Sequence, residues 1–117
     1  MKKIKTAIVC AGGYGTRFLP FTNAISKELL PIGGVPAIQR VVEECIYAQI
    51  DKIIVVTRTD TDIVKKHFSE NTLLLKYLES SGKEEEVERL QHIYNYGDQL
   101  FFLEEDKSMP YGNAVPL

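Results

Sequence analysis

Short apolar runs separated by longer segments of helical periodicity constrain this fold more than any other feature. The first run, KTAIVCA (5–11), is continuously apolar, which is the pattern of a strand covered on both faces. KIIVVT (52–57) and QLFFLEE (99–105) are of the same kind. Strands that alternate with crossover helices predict an α/β fold: a doubly wound, mostly parallel sheet with helices on both faces and the first strand central.

The segments between these apolar runs have the periodicity of helices. PAIQRVVEECIYAQ (36–49) carries its apolar residues on one stripe, and Pro36 stands where a helix can begin. TDTDIVKKHF (59–68) restarts a helix, with Asp60 or Thr61 as its cap. The helical pattern then runs from 71 to 93 and is broken at Gly82.

Composition narrows the class of protein. The chain has 117 residues, enough for one domain but not for a second, with 44% hydrophobic and 26% charged residues. No apolar stretch approaches the roughly 20 residues of a membrane span, and the net charge of −2 gives no basic surface for nucleic acid. Cys10 and Cys45 fall on apolar patterns and are predicted to be buried free thiols. We therefore expect a cytoplasmic protein without nucleic-acid or membrane partners.

A glycine loop, AGGYGTRFLP (11–20), follows the first strand directly. Ligands of parallel sheets bind beyond the carboxyl ends of the strands, so this loop marks the candidate site. Phe18 stands where a dinucleotide fingerprint requires its third glycine, and no Gly-Lys-Ser/Thr closes the loop as in a P-loop. What remains is a set of groups suited to an anion such as a phosphate: Gly12, Gly13, Gly15, Thr16 and Arg17.

A second segment, SKELLP (26–31), adds Lys27, and two cations beside one glycine loop indicate a polyphosphate. Together GGYGTRFLP and KELLP resemble the hallmark of the sugar-1-phosphate nucleotidyltransferases, in both halves and at the spacing of that family. The likeness is greatest to bacterial UTP:glucose-1-phosphate uridylyltransferases. Glu28 follows the lysine where thymidylyltransferases typically have glutamine, and the helical stretch 71–93 resembles an insertion of the uridylyl enzymes.

The resemblance implies a reaction, nucleotidyl transfer from UTP to a sugar 1-phosphate with release of pyrophosphate, and roles for single residues. It implies catalytic roles for Arg17 and Lys27, which would neutralise charge on the phosphates. Nucleotide binding would fall to Ala11, Gly12, Gly13, Gly15, Thr16, Glu28 and Gly112. It also implies Mg²⁺, with its ligands beyond residue 117, and a homo-oligomeric full-length protein. Residues 1–117 would be the N-terminal nucleotide-binding part of a longer domain, inactive alone.

Other interpretations stay open at this point. The chain could be a thymidylyltransferase that uses dTTP, a regulatory module that binds a nucleotide without reacting, or a dinucleotide-dependent oxidoreductase with Asp60 on the ribose. Asp60 and Asp62 form the D-x-D that some glycosyltransferases use for metal, but helix capping explains them better, so no metal ligand is assigned. His67 and His92 have no partner at ligand spacing and are predicted to be surface or helix-packing residues.

Overall fold

The three apolar runs form the parallel sheet that the sequence predicts. The computed structural model describes residues 4–104, and its strands are β1 (Thr6–Ala11), β2 (Pro31–Ile32), β3 (Val35–Pro36), β4 (Lys52–Thr57) and β5 (Leu100–Glu104). β1, β4 and β5 lie side by side in that order, and both pairings are parallel. The two-residue strands β2 and β3 pair antiparallel in a separate small sheet. The predicted α/β class is therefore confirmed.

The helical segments also form where the sequence predicts them, as α1 (Ala37–Tyr47), α2 (Ile63–His67), α3 (Thr72–Ser80) and α4 (Glu84–Tyr94). The helix pair α3 and α4 is divided at Gly82, whose φ of 70° lies in the left-handed region that favours glycine. Asn71 is the N-cap of α3, and its Oδ1 accepts a hydrogen bond from the Leu74 N–H at 3.1 Å. The N-cap of α2 is Asp62, so the prediction of Asp60 or Thr61 is wrong, although the hydroxyl of Thr61 accepts from the N–H of Ile63 at 3.3 Å.

The position of β1 differs from the prediction. β4 is the central strand of the described sheet, and β1 lies at its edge, with Thr6 opposite Lys52 and Ala11 opposite Thr57. The strand order follows from the two connections. The connection through α1 leads from β1 to β4 beside it, and the connection through α2, α3 and α4 leads from β4 to β5 on the side away from β1. The prediction that β1 is central is thus wrong for residues 4–104.

One face of this sheet carries the hydrophobic core. Ile53 and Val55 of β4 are fully buried there, and α1 contributes Ile38 and Val42. Val64 and Phe68, from α2 and the residue that follows it, complete the packing together with other apolar side chains: Ala11, Ile50 and Leu100. The sequence predicts helices on both faces, whereas the core of the described residues lies on this one.

The opposite face of the sheet exposes apolar side chains. Ile8 of β1 is 41% exposed, and Phe101 and Leu103 of β5 are 47% and 40% exposed. Cys10 alternates with the core-facing residues of β1 and therefore lies on this face, where it is exposed. Its predicted burial is wrong for that reason, while Cys45 on α1 is half-buried and both thiols are free.

A polar network ties α1 to α4 and to the 3-10 helix that follows it (Asn95–Gln99). The Tyr96 hydroxyl donates a hydrogen bond to Glu43 Oε2 at 2.8 Å and lies 2.7 Å from His92 Nε2. Burial alone would raise the pKa of Glu43, but hydrogen bonds from Tyr96, Gln39 and His92 outweigh it and lower that pKa. The Gln39 amide oxygen also accepts from His67 at 2.9 Å, so His67 packs between helices, whereas the side chain of His92 is 62% exposed.

Tyr96→Phe is expected to lower the free energy of unfolding by about 1 kcal/mol at pH 7, because it removes a charge-assisted hydrogen bond to a mostly buried carboxylate. A carboxyl whose pKa is lower in the folded state stabilises the protein above its unfolded pKa, and this contribution disappears as the pH falls through the folded value. The difference between variant and wild type should therefore shrink below pH 4.5, the ordinary value for Glu43. Urea unfolding at several pH values measures it.

Tyr77→Phe is the matched control, since Tyr77 on α3 is 58% exposed. It should change the free energy of unfolding little at any pH. If Tyr96→Phe also left the free energy of unfolding unchanged, or if its effect grew at acidic pH, the stabilising role of the Glu43 network would be wrong.

Candidate functional site

The glycine loop leaves the carboxyl end of β1 and turns at Gly15. Gly15 adopts φ 65° and ψ 39°, and its carbonyl oxygen accepts two hydrogen bonds: from the N–H of Phe18 at 2.9 Å and from the hydroxyl of Thr22 at 2.8 Å. Thr22 is buried, so this second bond anchors the loop from beneath. The 3-10 helix Thr16–Phe18 follows directly. It ends at Phe18, the position where a dinucleotide-binding loop would have its third glycine.

Lys27 lies directly against this loop. A Cβ added to Gly13 would lie 3.4 Å from Lys27 Nζ, and a Cβ added to Gly15 would lie 2.9 Å from Lys27 Cβ. The 26–31 segment therefore folds back onto the loop, and the glycines make room for the lysine stem. The result is a cation held beside a turn of backbone N–H groups, which is an arrangement suited to phosphate.

The other predicted site residues lie at the same edge of the sheet. Ala11 is buried at the end of β1, Gly12 is half-buried, and Thr16 and Arg17 are exposed on the 3-10 helix. Gly112 lies outside the described residues. Lys27 thus lies against the loop and Arg17 follows the loop on the 3-10 helix, while the roles assigned to them stay predictions.

Glu28 differs from these groups because it is buried, with 8% of its surface exposed. Within residues 4–104, neither carboxylate oxygen has a well-aligned hydrogen-bond partner. Burial raises the pKa of Glu28, while its own backbone amide and the charges of Lys27 and Arg58 act in the opposite direction. A carboxylate in such a place is costly unless a positive charge compensates it.

Arg58 supplies positive charge at this edge, and sequence reasoning missed it. Arg58 follows the last residue of β4 directly, and its guanidinium carbon lies 4.9 Å from the centre of the Tyr14 ring in the glycine loop. Its Nε is 3.1 Å from Asp60 Oδ1, and only 14% of the side chain is exposed. A signal was available: a residue at the carboxyl end of the strand beside β1 has to lie near the loop.

The two aspartates of the D-x-D are both engaged in ion pairs. Asp60 pairs with Arg58, and Asp62 pairs with Lys66 at 3.6 Å on the first turns of α2. Asp62 is the N-terminal flanking residue of α2, but its side chain makes no capping hydrogen bond. Between residues 4 and 104 no three His, Cys, Asp or Glu side chains lie close enough together to hold a metal ion.

A cleft of about 730 Å³ lies elsewhere, between the β2 and β3 turn and α4. Its lining includes His67, Arg89 and His92, and burial lowers the pKa of His67 so that the imidazole is neutral near pH 7. None of the lining residues belongs to the glycine loop or to 26–31. The size of this cleft therefore does not identify the functional site, and the glycine loop remains the candidate.

No helix of the described residues has the length and apolar character needed to cross a membrane.

Comparison with known proteins gives one consistent result. Residues 6–98 match the nucleotidyl transferase family. The chain is 39% identical over 115 residues to UTP--glucose-1-phosphate uridylyltransferase of Bacillus subtilis and 40% identical to that of Staphylococcus epidermidis. Each alignment covers 98% of this chain but only 39% or 40% of the relative.

Solved structures agree. A UTP-bound UGPase from Acinetobacter baumannii superimposes with a TM-score of 0.87 at 31% identity, and an apo UDP-glucose pyrophosphorylase with a TM-score of 0.77 at 30%. Each match covers 96% of this chain and 39% or 41% of the other. The chain spans about two fifths of the length of the proteins it matches.

Proposed function

Because this chain belongs to the nucleotidyl transferase family, we propose that it binds UTP and supplies the nucleotide-binding part of a UTP:glucose-1-phosphate uridylyltransferase. One observation carries the proposal: Lys27 Nζ lies against Gly13, which brings the two halves of the sequence motif together at the carboxyl end of β1. The similarity to a UTP-bound protein supports the choice of nucleotide.

The proposed reaction needs no nucleophile from the protein. A phosphate monoester has its second pKa near 6, so glucose 1-phosphate is already mostly dianionic at neutral pH and no general base is required. One of its phosphate oxygens attacks the α-phosphorus of UTP, and the bond from that phosphorus to the departing pyrophosphate breaks in line. UDP-glucose and pyrophosphate are the products.

The contribution of this chain is position and charge. The N–H groups of the turn at Gly12, Gly13 and Gly15 would hold the phosphates, while Lys27 and Arg17 would stabilise the negative charge that develops on the departing pyrophosphate. A guanidinium stays charged and presents a planar fork of donors, which suits a phosphate whose geometry changes during the reaction. Ala11 would lie against the base, and Thr16 would add a hydroxyl donor.

Magnesium remains part of the proposal, but residues 4–104 do not supply a site for it. They contain no cluster of metal-ligating side chains, and both Asp60 and Asp62 are paired with cations. We further propose that the whole protein acts in the cytoplasm as a homo-oligomer.

The direct test is binding of UTP to the chain by titration calorimetry, with dTTP and NAD⁺ as competitors. We expect UTP to bind, dTTP to bind more weakly, and NAD⁺ not to displace UTP. Equal affinity for dTTP would favour a thymidylyltransferase. Binding of NAD⁺ without UTP would overturn the proposal in favour of a dinucleotide enzyme.

Lys27→Ala is expected to weaken UTP binding about tenfold, since it removes a charged donor from the phosphates. Lys76→Ala on α3 is the matched control, because this exposed lysine lies outside the site. Calorimetry on both variants measures the difference. Unchanged affinity in Lys27→Ala would show that the phosphates do not lie against Lys27.

A further inference from the structure

We propose that Arg58 is a positioning residue that holds the glycine loop, through Tyr14, in the conformation that binds the triphosphate of UTP. This inference rests on the proposed function for its ligand. It assigns a role to a residue outside both sequence motifs, directly after the end of β4.

The contact between Arg58 and Tyr14 joins two separate segments. Tyr14 lies between Gly13 and Gly15, at the tip of the loop, and 58% of its surface is exposed. The guanidinium carbon of Arg58 lies 4.9 Å from the ring centre, within the range of a cation–π interaction. The tip of a glycine-rich loop has many accessible backbone conformations, and a side-chain contact at the tip reduces them.

Arg58 is itself held by Asp60, whose Oδ1 lies 3.1 Å from its Nε, and only 14% of the Arg58 side chain is exposed. A largely buried guanidinium needs such a counter-charge, so the ion pair fixes Arg58 at the end of β4. Burial raises the pKa of the Glu28 carboxyl, and the charges of Lys27 and Arg58 both act on that carboxyl in the opposite direction.

The three segments of the site meet at this residue. Tyr14 belongs to the glycine loop, Glu28 to the segment that carries Lys27, and Arg58 to the end of β4. A loop already held in its binding conformation loses less conformational entropy when the nucleotide binds. Arg58 thus raises affinity without touching the ligand.

Arg58→Gln is expected to weaken UTP binding about three- to thirtyfold, which corresponds to the usual strength of one cation–π contact. Hydrogen exchange of the amides in 12–18, measured without nucleotide, should become faster, and saturating UTP should restore most of the protection. Tyr14→Leu should reproduce both effects while the ion pair of Arg58 with Asp60 stays intact. This second variant keeps the test valid if Arg58→Gln fails to fold.

Arg40→Gln is the matched control. Arg40 holds a different turn by donating from its guanidinium to the carbonyl oxygens of Ile32 and Gly33 at 3.1 to 3.3 Å. Its loss should affect stability but neither UTP affinity nor exchange in 12–18. Arg58→Lys, which keeps the charge but not the planar group, should recover part of the affinity.

The outcomes separate this inference from the proposed function. If the wild-type chain does not bind UTP, the proposed function fails, while faster exchange of 12–18 in both variants would still support the contact. If UTP binds and neither affinity nor exchange changes in the variants, the positioning role is overturned. Weaker binding with unchanged exchange would also overturn it, because Arg58 would then contact the nucleotide directly.

Discussion

Replacing Arg17 with alanine is expected to lower the rate of nucleotidyl transfer by about 10²- to 10³-fold while weakening UTP binding less than tenfold. A donor that stabilises charge formed only during the transfer affects the rate constant more than the affinity for substrate. Arg17 is exposed beside the loop, so its guanidinium is accessible to a bound phosphate. Because the chain spans 39% of the Bacillus subtilis relative, the assay uses a chimera in which it replaces the matching 115 residues.

Matched variants sharpen this measurement. Arg17→Lys should recover only part of the rate, since an ammonium group cannot make the two-pronged contact of a guanidinium. Thr16→Ala should cost less, because neighbouring backbone donors still hold the phosphate. Arg89→Ala, on the exposed face of α4, should leave the rate unchanged. Steady-state kinetics with UTP and glucose 1-phosphate varied separately would identify Arg17 as a binding residue if turnover persisted and only affinity fell.

Local sequence determines much of this fold. KIIVVT forms the central strand because its apolar run fits a position covered by neighbours, and the left-handed Gly82 separates α3 from α4. The same local reasoning finds the glycine loop, since the glycines and Lys27 belong to two motifs of fixed spacing. These features depend on residues close together in the chain, which is why sequence alone reveals them.

Features that depend on neighbours distant in sequence were not predictable in the same way. The edge position of β1 and the exposure of Cys10 follow from which strands and helices lie beside it. The contact of Arg58 with Tyr14 joins residues 44 positions apart, and it depends on the length and direction of both side chains as well as on the order of strands. Burial of Glu28 likewise requires the fold of 26–31 against the loop.

Gly15→Ala is expected to destabilise the protein by about 2–5 kcal/mol and to abolish measurable UTP binding to the chain. The left-handed backbone at φ 65° costs a residue with a side chain about 1–2 kcal/mol. The added Cβ would also lie 2.9 Å from Lys27 Cβ and 3.0 Å from Thr22 Cγ2, and relieving this overlap costs a further 1–3 kcal/mol or so. Moving Lys27 away displaces the cation from the loop.

Gly34→Ala separates the two costs. Gly34 has φ 80° with nothing within 4 Å of an added Cβ, so its replacement carries the backbone strain without the overlap. It should lower the free energy of unfolding by only about 1–2 kcal/mol and leave UTP affinity intact. Urea unfolding and calorimetry on both variants compare the two positions directly. If Gly15→Ala and Gly34→Ala proved equally destabilising and both bound UTP normally, the close packing of Lys27 on the loop would not exist in solution.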